Sequence, residues 1–189
     1  MPEDSSNHYI DSTILLDFFL VNALQFLLKL PLRIVTVDIM AEDLEVPDLD
    51  QIRKAGVVIL ETPVSVLENM SDTAATFGLT IYDAALLLSA RSQKAVLLSG
   101  DEKLRKAAAK ERVTCRGTLW LLEEIVLGKI ITPDHAALLL ERMFLMGRRL
   151  PADESSRRII AWEGGGKFSR PRCYEHPGRK RIEKLACSA

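Results

Sequence analysis

The chain has 189 residues, the length of one domain of roughly 100–200 residues with some additional chain. Its hydrophobic fraction of 48% and charged fraction of 27% are typical of a globular protein and exclude a fibrous or highly charged, coreless chain. The formal net charge of −1 excludes any inference about partners from overall charge, although the segment after Trp162 is basic and the remainder acidic.

The cysteines and the amino-terminal residues favour a cytoplasmic protein. Cys115, Cys173 and Cys187 are odd in number and widely spaced, which argues against a disulfide framework. The first ten residues, MPEDSSNHYI, lack the basic and apolar regions of a signal peptide. The longest apolar-rich stretch, residues 14–30, is interrupted by polar side chains, so a buried helix is favoured over a membrane span. We therefore expect no membrane association.

Strand and helix patterns alternate along the chain. Short apolar or β-branched segments predict strands at residues 9–10, 33–37, 57–60, 95–98 and 112–115. Periodic apolar patterns predict helices at residues 14–30, 38–44, a short one ending at 56, 63–77, 80–91, 102–111, 117–127 and 133–146. This alternation predicts an α/β fold, a three-layer α/β/α sandwich with a central, mostly parallel sheet of about five strands. We expect a flexible leader (1–8), one domain (9–162) and a basic, disordered tail (163–189).

Four acidic residues lie where predicted strands end or the next helix begins. Asp11 follows the first strand and Glu42 lies one short turn after the second. Asp83 opens the helix after residues 79–80, and Asp101 follows the fourth strand by two residues. Ligands bind at the carboxyl ends of strands in an open parallel sheet, and carboxylates that meet there need a cation. Hard oxygen donors suit Mg²⁺ or Mn²⁺, whose bound water can attack a phosphodiester.

Each of these acids also has a purely structural explanation. Asp11 and Asp101 can each cap a helix, and Asp83 fits a capping box that begins at Thr80. Glu42 can be a solvated surface acid, since other acidic residues surround it in sequence. A cap does not exclude a ligand, so both explanations stay open.

Several segments resemble motifs of the PIN-domain family, in particular its VapC-like and DUF3368-like prokaryotic ribonucleases. IDSTILL (10–16) resembles the opening strand and turn, where an Asp precedes a small hydroxyl residue. Residues 33–44, LTIYDAAL (79–86) and LLSGDEKL (97–104) resemble the second, third and fourth acidic segments. RGTLWLL (116–122) followed by GKII (128–131) resembles the carboxyl-terminal half of bacterial and archaeal members. The resemblance spans roughly residues 9–160.

The resemblance implies a Mg²⁺- or Mn²⁺-dependent endoribonuclease that cleaves single-stranded RNA, often the toxin of a VapBC-type toxin–antitoxin pair. It implies an antitoxin protein as a partner, and a homodimer is common among such proteins. It implies one or two metal ions, held by Asp11, Glu42, Asp83 and Asp101, and supporting hydroxyls at Thr13 and Ser99.

Basic side chains follow the fourth acidic residue. Lys103, Arg105 and Lys106 lie on the predicted helix after Asp101, where they are candidates for contacts with RNA phosphates. A solvated helix face is the alternative explanation.

The sequence allows two other functions to be considered. A catalytically weak PIN-like module could bind RNA or a protein partner, and convergence of the four carboxylates would distinguish it from a nuclease. A phospho-acceptor regulator of similar layout is disfavoured, because Asp101 comes too late in the chain for that role.

Overall fold

The computed structural model of the protein describes residues 7–164. Its strands are β1 (Asn7–Ile10), β2 (Arg33–Val37), β3 (Val58–Leu60), β4 (Val96–Leu98) and β5 (Cys115–Arg116). Its helices are α1 (Ser12–Leu20), α2 (Leu24–Leu27), α3 (Asp38–Glu42), α4 (Leu49–Lys54), α5 (Val64–Phe77), α6 (Ile81–Ser92), α7 (Glu102–Lys110), α8 (Thr118–Leu127), α9 (Pro133–Leu145) and α10 (Ala152–Glu163). The predictions for residues 1–6 and 165–189 lie outside the described residues.

The five strands form one parallel sheet in the order β3-β2-β1-β4-β5. From β1 the chain moves outward to β2 and β3, then returns to the other side of β1 for β4 and β5. Connections between parallel strands are right-handed, so connections that run in opposite directions along the sheet place their helices on opposite faces. The predicted three-layer α/β/α fold is therefore confirmed. The order reverses between β1 and β4, and ligands of open α/β sheets bind at such a reversal, beside the carboxyl ends of the strands.

The helix α6 is largely buried, which accounts for its apolar sequence. Its residues 84–90 are all buried, and it contacts β1, β2 and β4. A helix buried on every side needs apolar or small residues around its whole circumference, which the sequence AALLLSA supplies. The helix α5 packs outside α6, where Val66 forms a small separate cluster with Ala85 and Leu88.

The structure differs from the predicted elements at four places. The strand predicted at residues 112–115 lies instead at Cys115–Arg116, the two residues that pair with Leu97 and Leu98 of β4. The predicted helix 14–30 is two helices, because Asn22 adopts a left-handed conformation (φ 56°) that Asn tolerates better than most residues. Strand β1 begins at Asn7, two residues earlier than predicted, because Asn7 pairs with Arg33 in β2. The helix α10 was not predicted, because its buried side carries Ser155, Arg158 and Trp162 rather than an apolar stripe.

Within residues 7–164, no single helix is long and apolar enough to cross a membrane. The pair α5 and α6 reaches the required length and hydropathy only when combined, and the chain bends by 112° between these two helices.

Candidate functional site

The carboxylate of Asp11 lies at the reversal of strand order. Asp11 follows β1 directly, and its backbone N–H donates to the carbonyl of Leu98 in β4 at 3.0 Å. Its Oδ1 atom caps α1, accepting from the backbone N–H groups of Thr13 and Ile14 and from the Thr13 hydroxyl at 2.6 Å. Its Oδ2 atom accepts from the hydroxyl of Ser99. Asp11 is 1% exposed, so these donors hold a carboxylate that water hardly reaches.

The hydroxyls of Thr13 and Ser99 join Asp11 to the turn between β4 and α7. Thr13 Oγ1 accepts from the backbone N–H of Gly100 at 3.0 Å, and Ser99 Oγ accepts from that of Asp101 at 3.0 Å. A Cβ at Gly100 would lie 3.1 Å from Thr13 Oγ1, so this turn approaches α1 closely. Both hydroxyls therefore contact Asp11, and their hydrogen bonds fix its orientation.

The carboxylate of Asp101 caps α7, and that of Asp83 binds the side chain of Thr80, the residue that caps α6. Asp101 Oδ1 accepts from the backbone N–H of Leu104 at 2.8 Å, which caps α7. Asp83 Oδ2 accepts from the hydroxyl of Thr80 at 2.8 Å in the first turn of α6. Within residues 7–164, the other oxygen of each carboxylate accepts no hydrogen bond. Helix capping by Asp101 and the hydrogen bond of Asp83 to Thr80 therefore each leave one carboxylate oxygen for a ligand.

Electrostatic repulsion links these three carboxylates. Burial raises the pKa of Asp11 to about 6, because desolvation outweighs the hydrogen bonds from Ser99 and Thr13, and the charge of Asp83 adds to the rise. Burial also raises the pKa of Asp83 despite its bonds to Thr80, and the charge of Asp101 adds to that rise. Each carboxylate is thus close enough to destabilise the ionised form of the next. A bound cation would offset this repulsion.

Glu42 stands apart from these three residues. It is the last residue of α3, its side chain is exposed, and it makes no hydrogen bond or ion pair within the described residues. Its neighbour Asp43 faces α6 instead, since the Asp43 carboxylate raises the pKa of Tyr82. Sequence reasoning did not single out Asp43, which interacts with Tyr82 at the start of α6. Acids at 38, 42, 43 and 45 crowd this segment, and no periodicity indicates which of them faces α6.

The three basic residues of α7 differ in their contacts. Arg105 Nη1 donates to the carbonyl of Ser99 at 3.2 Å, which brings this guanidinium beside the Asp11 network. Lys106 forms an exposed ion pair of 2.6 Å with Glu102 one helical turn earlier. Lys103 is exposed and has no ion pair among residues 7–164. Arg105 is therefore the member of this group that contacts the site.

The fit of a divalent metal ion rests on the chemistry of the donors. In the part of the chain that the structure describes, no group of three or more His, Cys, Asp or Glu side chains is spaced to enclose a metal ion. Mg²⁺ nevertheless keeps several of its waters and commonly binds through only one or two protein carboxylates. Asp11, Asp83 and Asp101 offer hard oxygen donors, so the residues fit an ion held by a few carboxylates and water.

The chain is similar to one protein family and to a solved structure. The model of the family DUF3368, described as a PIN domain, matches residues 9–163. Among solved structures, the crystal structure of PAE2754 from Pyrobaculum aerophilum is similar at 17% sequence identity and a TM-score of 0.48, over 65% of this chain and 91% of that chain. No curated protein matches the chain.

The family model covers nearly all of the described domain, and it confirms the resemblance seen in the sequence motifs. PIN domains are generally nucleases and typically use divalent metals. The chain therefore belongs to the DUF3368 family of PIN domains.

Proposed function

We propose that this protein is a Mg²⁺- or Mn²⁺-dependent endoribonuclease that cleaves single-stranded RNA. The observation that carries the proposal is the buried carboxylate of Asp11 at the reversal of strand order, repelled in turn by Asp83 and, through it, Asp101. The charge of Asp83 raises the pKa of Asp11 and that of Asp101 raises the pKa of Asp83, and a bound cation would relieve this repulsion. A metal-binding nuclease site explains why the fold retains this arrangement.

The chain's own residues would hold the metal and orient the reaction. Asp11 is fixed by four hydrogen bonds, so its oxygens are aligned before any ligand arrives. Asp83 and Asp101 each keep one oxygen for a ligand or a water molecule. When bound, the metal supplies a polarised water and stabilises the negative charge of the phosphodiester.

The fourth carboxylate of the proposal is Glu42, as the family motif implies. Its exposed place at the end of α3 requires its side chain to turn toward Asp83 when a metal binds. Asp43 already faces α6 through Tyr82 and is the competing residue for this role. Comparing Glu42→Gln with Asp43→Asn in the cleavage assay identifies which acid takes part.

The RNA strand would approach along α7. Arg105 lies beside Ser99, and an arginine fork suits phosphate oxygens. Lys103 extends the positive surface, whereas Lys106 is partly neutralised by Glu102. Each phosphate contact made by a basic residue steepens the salt dependence of binding, by a slope of about 0.7 per contact for single strands. Arg105→Ala is therefore expected to weaken RNA binding more than Lys106→Ala and to flatten its salt dependence.

The test is cleavage of a labelled single-stranded RNA pool by purified protein with Mg²⁺, with Mn²⁺ and with chelator. The double variant Asp11→Asn/Asp101→Asn removes two proposed ligands without changing side-chain size. Asp134→Asn is the matched control, because this exposed acid opens α9, outside the Asp11 network. We expect metal-dependent cleavage that the control retains and the double variant loses. Cleavage that survives in the double variant would refute the assigned site, and single-stranded DNA as substrate tests the preference for RNA.

The second candidate is a binding module that acts through RNA or a protein partner. The observation that favours it is the lack, among residues 7–164, of three metal-ligating side chains already spaced around an ion. Folded, metal-loaded and partner-free protein that binds single-stranded RNA without cleaving it would establish this alternative.

The resemblance further suggests the toxin of a type II toxin–antitoxin pair, a cytoplasmic location and a homodimer. Exposed apolar side chains make α5 a candidate surface for a partner or a second copy, since Val64 is 69% and Leu67 40% exposed. The apolar helix α1 is a poorer candidate, because Ile14, Leu15 and Phe18 are buried in the core and its other apolar side chains are only partly exposed. Growth arrest on expression, relieved by a small protein encoded beside the gene, tests the toxin proposal. Sedimentation of the purified protein tests the dimer.

A further inference from the structure

A buried polar network lies against α1, close to the proposed site. Asp17 is 3% exposed, and its carboxylate accepts from the Thr118 hydroxyl at 2.5 Å and from Arg148 Nε at 2.5 Å. These residues come from α1, the first residue of α8 and the segment after α9. A buried carboxylate is strongly destabilising unless it is paired, so the three segments are held together here.

Arg148 also reaches the first turn of α1. Its Nη2 atom donates to the backbone carbonyl of Thr13 at 3.4 Å. The hydroxyl of the same Thr13 donates to Asp11 and accepts from the N–H of Gly100. Thr13 is therefore held by Arg148 on one side and forms part of the Asp11 network on the other. Arg148 is 131 residues from Asp17 in the chain, so this contact depends on the complete fold.

We infer that Arg148 is a positioning residue, which orients Asp11 by fixing the first turn of α1; its catalytic consequence rests on the proposed nuclease function. A guanidinium donates from several nitrogens in one plane, so Arg148 binds the Asp17 carboxylate and the Thr13 carbonyl together. A lysine ammonium in its place keeps the charge but lacks this planar fork. Small displacements of a metal ligand or of a group that positions substrate reduce catalysis strongly.

The protein offers a control in Arg158, another arginine that is ion-paired with a buried carboxylate. Arg158 Nε binds Glu123 Oε1 at 2.7 Å, with side-chain exposures of 7% and 0%. Its partners Glu123 and Glu154 belong to α8 and α10 rather than to α1. A lysine at either position weakens one buried ion pair, but only the change at Arg148 removes a contact to the first turn of α1.

The experiment compares wild type, Arg148→Lys, Arg158→Lys and Thr118→Val, a second variant that alters the network without changing charge. Amide hydrogen exchange is measured at Gly100, Thr13 and Ile14, whose N–H groups bond within the Asp11 network. Mn²⁺ affinity and the kcat and KM for RNA are measured on the same proteins. We expect Arg148→Lys to speed exchange at these amides and to lower Mn²⁺ affinity or kcat by about 10–100-fold, the usual effect of losing a group that supports metal ligands. Thr118→Val should act in the same direction, and Arg158→Lys should leave these amides unchanged.

The outcomes separate this inference from the proposed function. Wild-type protein that neither binds Mn²⁺ nor cleaves RNA refutes the nuclease, while the amide exchange, which needs neither, still decides whether Arg148 positions α1. Unchanged exchange and kcat in folded Arg148→Lys would overturn the inference. A raised KM with unchanged kcat and exchange would also overturn it, because Arg148 would then contact RNA directly.

Discussion

The raised pKa of Asp11 makes an unusual prediction for the stability of the metal-free protein. We expect Asp11→Asn to unfold at a higher denaturant concentration than wild type at pH 7.5 with chelator present. Burial raises the pKa of the Asp11 carboxyl group to about 6 in the folded protein, from its ordinary value of 3.8. The folded state thus binds its proton more tightly than the unfolded state does. Asn is always neutral and avoids the cost of burying a charge.

The magnitude follows from the linkage between proton binding and unfolding. For an acid whose pKa rises on folding, the stabilising contribution is complete below the unfolded value and is lost as pH rises through the folded value. At about 1.36 kcal/mol per pKa unit, the shift from 3.8 to about 6 costs wild type roughly 3 kcal/mol at neutral pH. Asp11→Asn avoids this cost, but its amide accepts fewer hydrogen bonds than a carboxylate, and the lost bonds reduce the gain by about 1 kcal/mol. We therefore expect a net stabilisation of about 2 kcal/mol at pH 7.5.

The difference in stability between Asp11→Asn and wild type is measured by urea unfolding with chelator present. The measurement is made at pH 7.5 and at several pH values between the folded and unfolded pKa values of Asp11. The advantage of Asp11→Asn should shrink steadily as pH falls from about 6 toward 3.8, because wild-type Asp11 then becomes neutral as well. Asp134→Asn, at an exposed position, should follow wild type at every pH. A variant that is less stable than wild type at pH 7.5, or whose advantage does not depend on pH, would refute the reasoning.

Three further predictions concern the same site and its surroundings. Mn²⁺ at about one hundred times its dissociation constant should stabilise wild type by about 2.7 kcal/mol in urea unfolding, and an equal gain in Asp11→Asn would argue against Asp11 as a ligand. Ser99→Ala leaves the buried Oδ2 atom of Asp11 without its donor, so the free energy of unfolding should fall by about 1–3 kcal/mol; an unchanged urea midpoint would contradict this. Arg158→Met removes the buried ion pair between Arg158 and Glu123, and a loss of about 3–5 kcal/mol is expected in thermal unfolding; an unchanged melting temperature would contradict this.

Local sequence patterns were sufficient to predict most of the fold. Short apolar or β-branched segments predicted the first four strands closely and the fifth with an overlap of one residue, and the parallel α/β layout followed from their alternation with helices. The same layout predicted acids at the carboxyl ends of the strands, and the structure adds that β1 and β4, which precede Asp11 and Asp101, pair directly. These predictions succeed because they depend on the side chains of one element at a time.

The remaining features depend on contacts between distant residues. The buried side of α10 uses Arg158 and Trp162, and Arg158 is stable there only because Glu123 faces it from α8. Likewise, only the packing of α3 on α6 determines that Asp43 rather than Glu42 faces Tyr82. No local pattern carries that information.

The central position of β1 has a consequence for synthesis of the protein on the ribosome. Strand β1 is made first, but its second neighbour, β4, begins only at Val96, and Ser99 follows β4. Until then one edge of β1 lacks its partner, and the Asp11 carboxylate lacks the hydroxyl that orients it. Vectorial synthesis therefore assembles the proposed nuclease late. An incomplete nascent chain, which emerges among the cell's RNA, would lack the proposed site until β4 and Ser99 have been made.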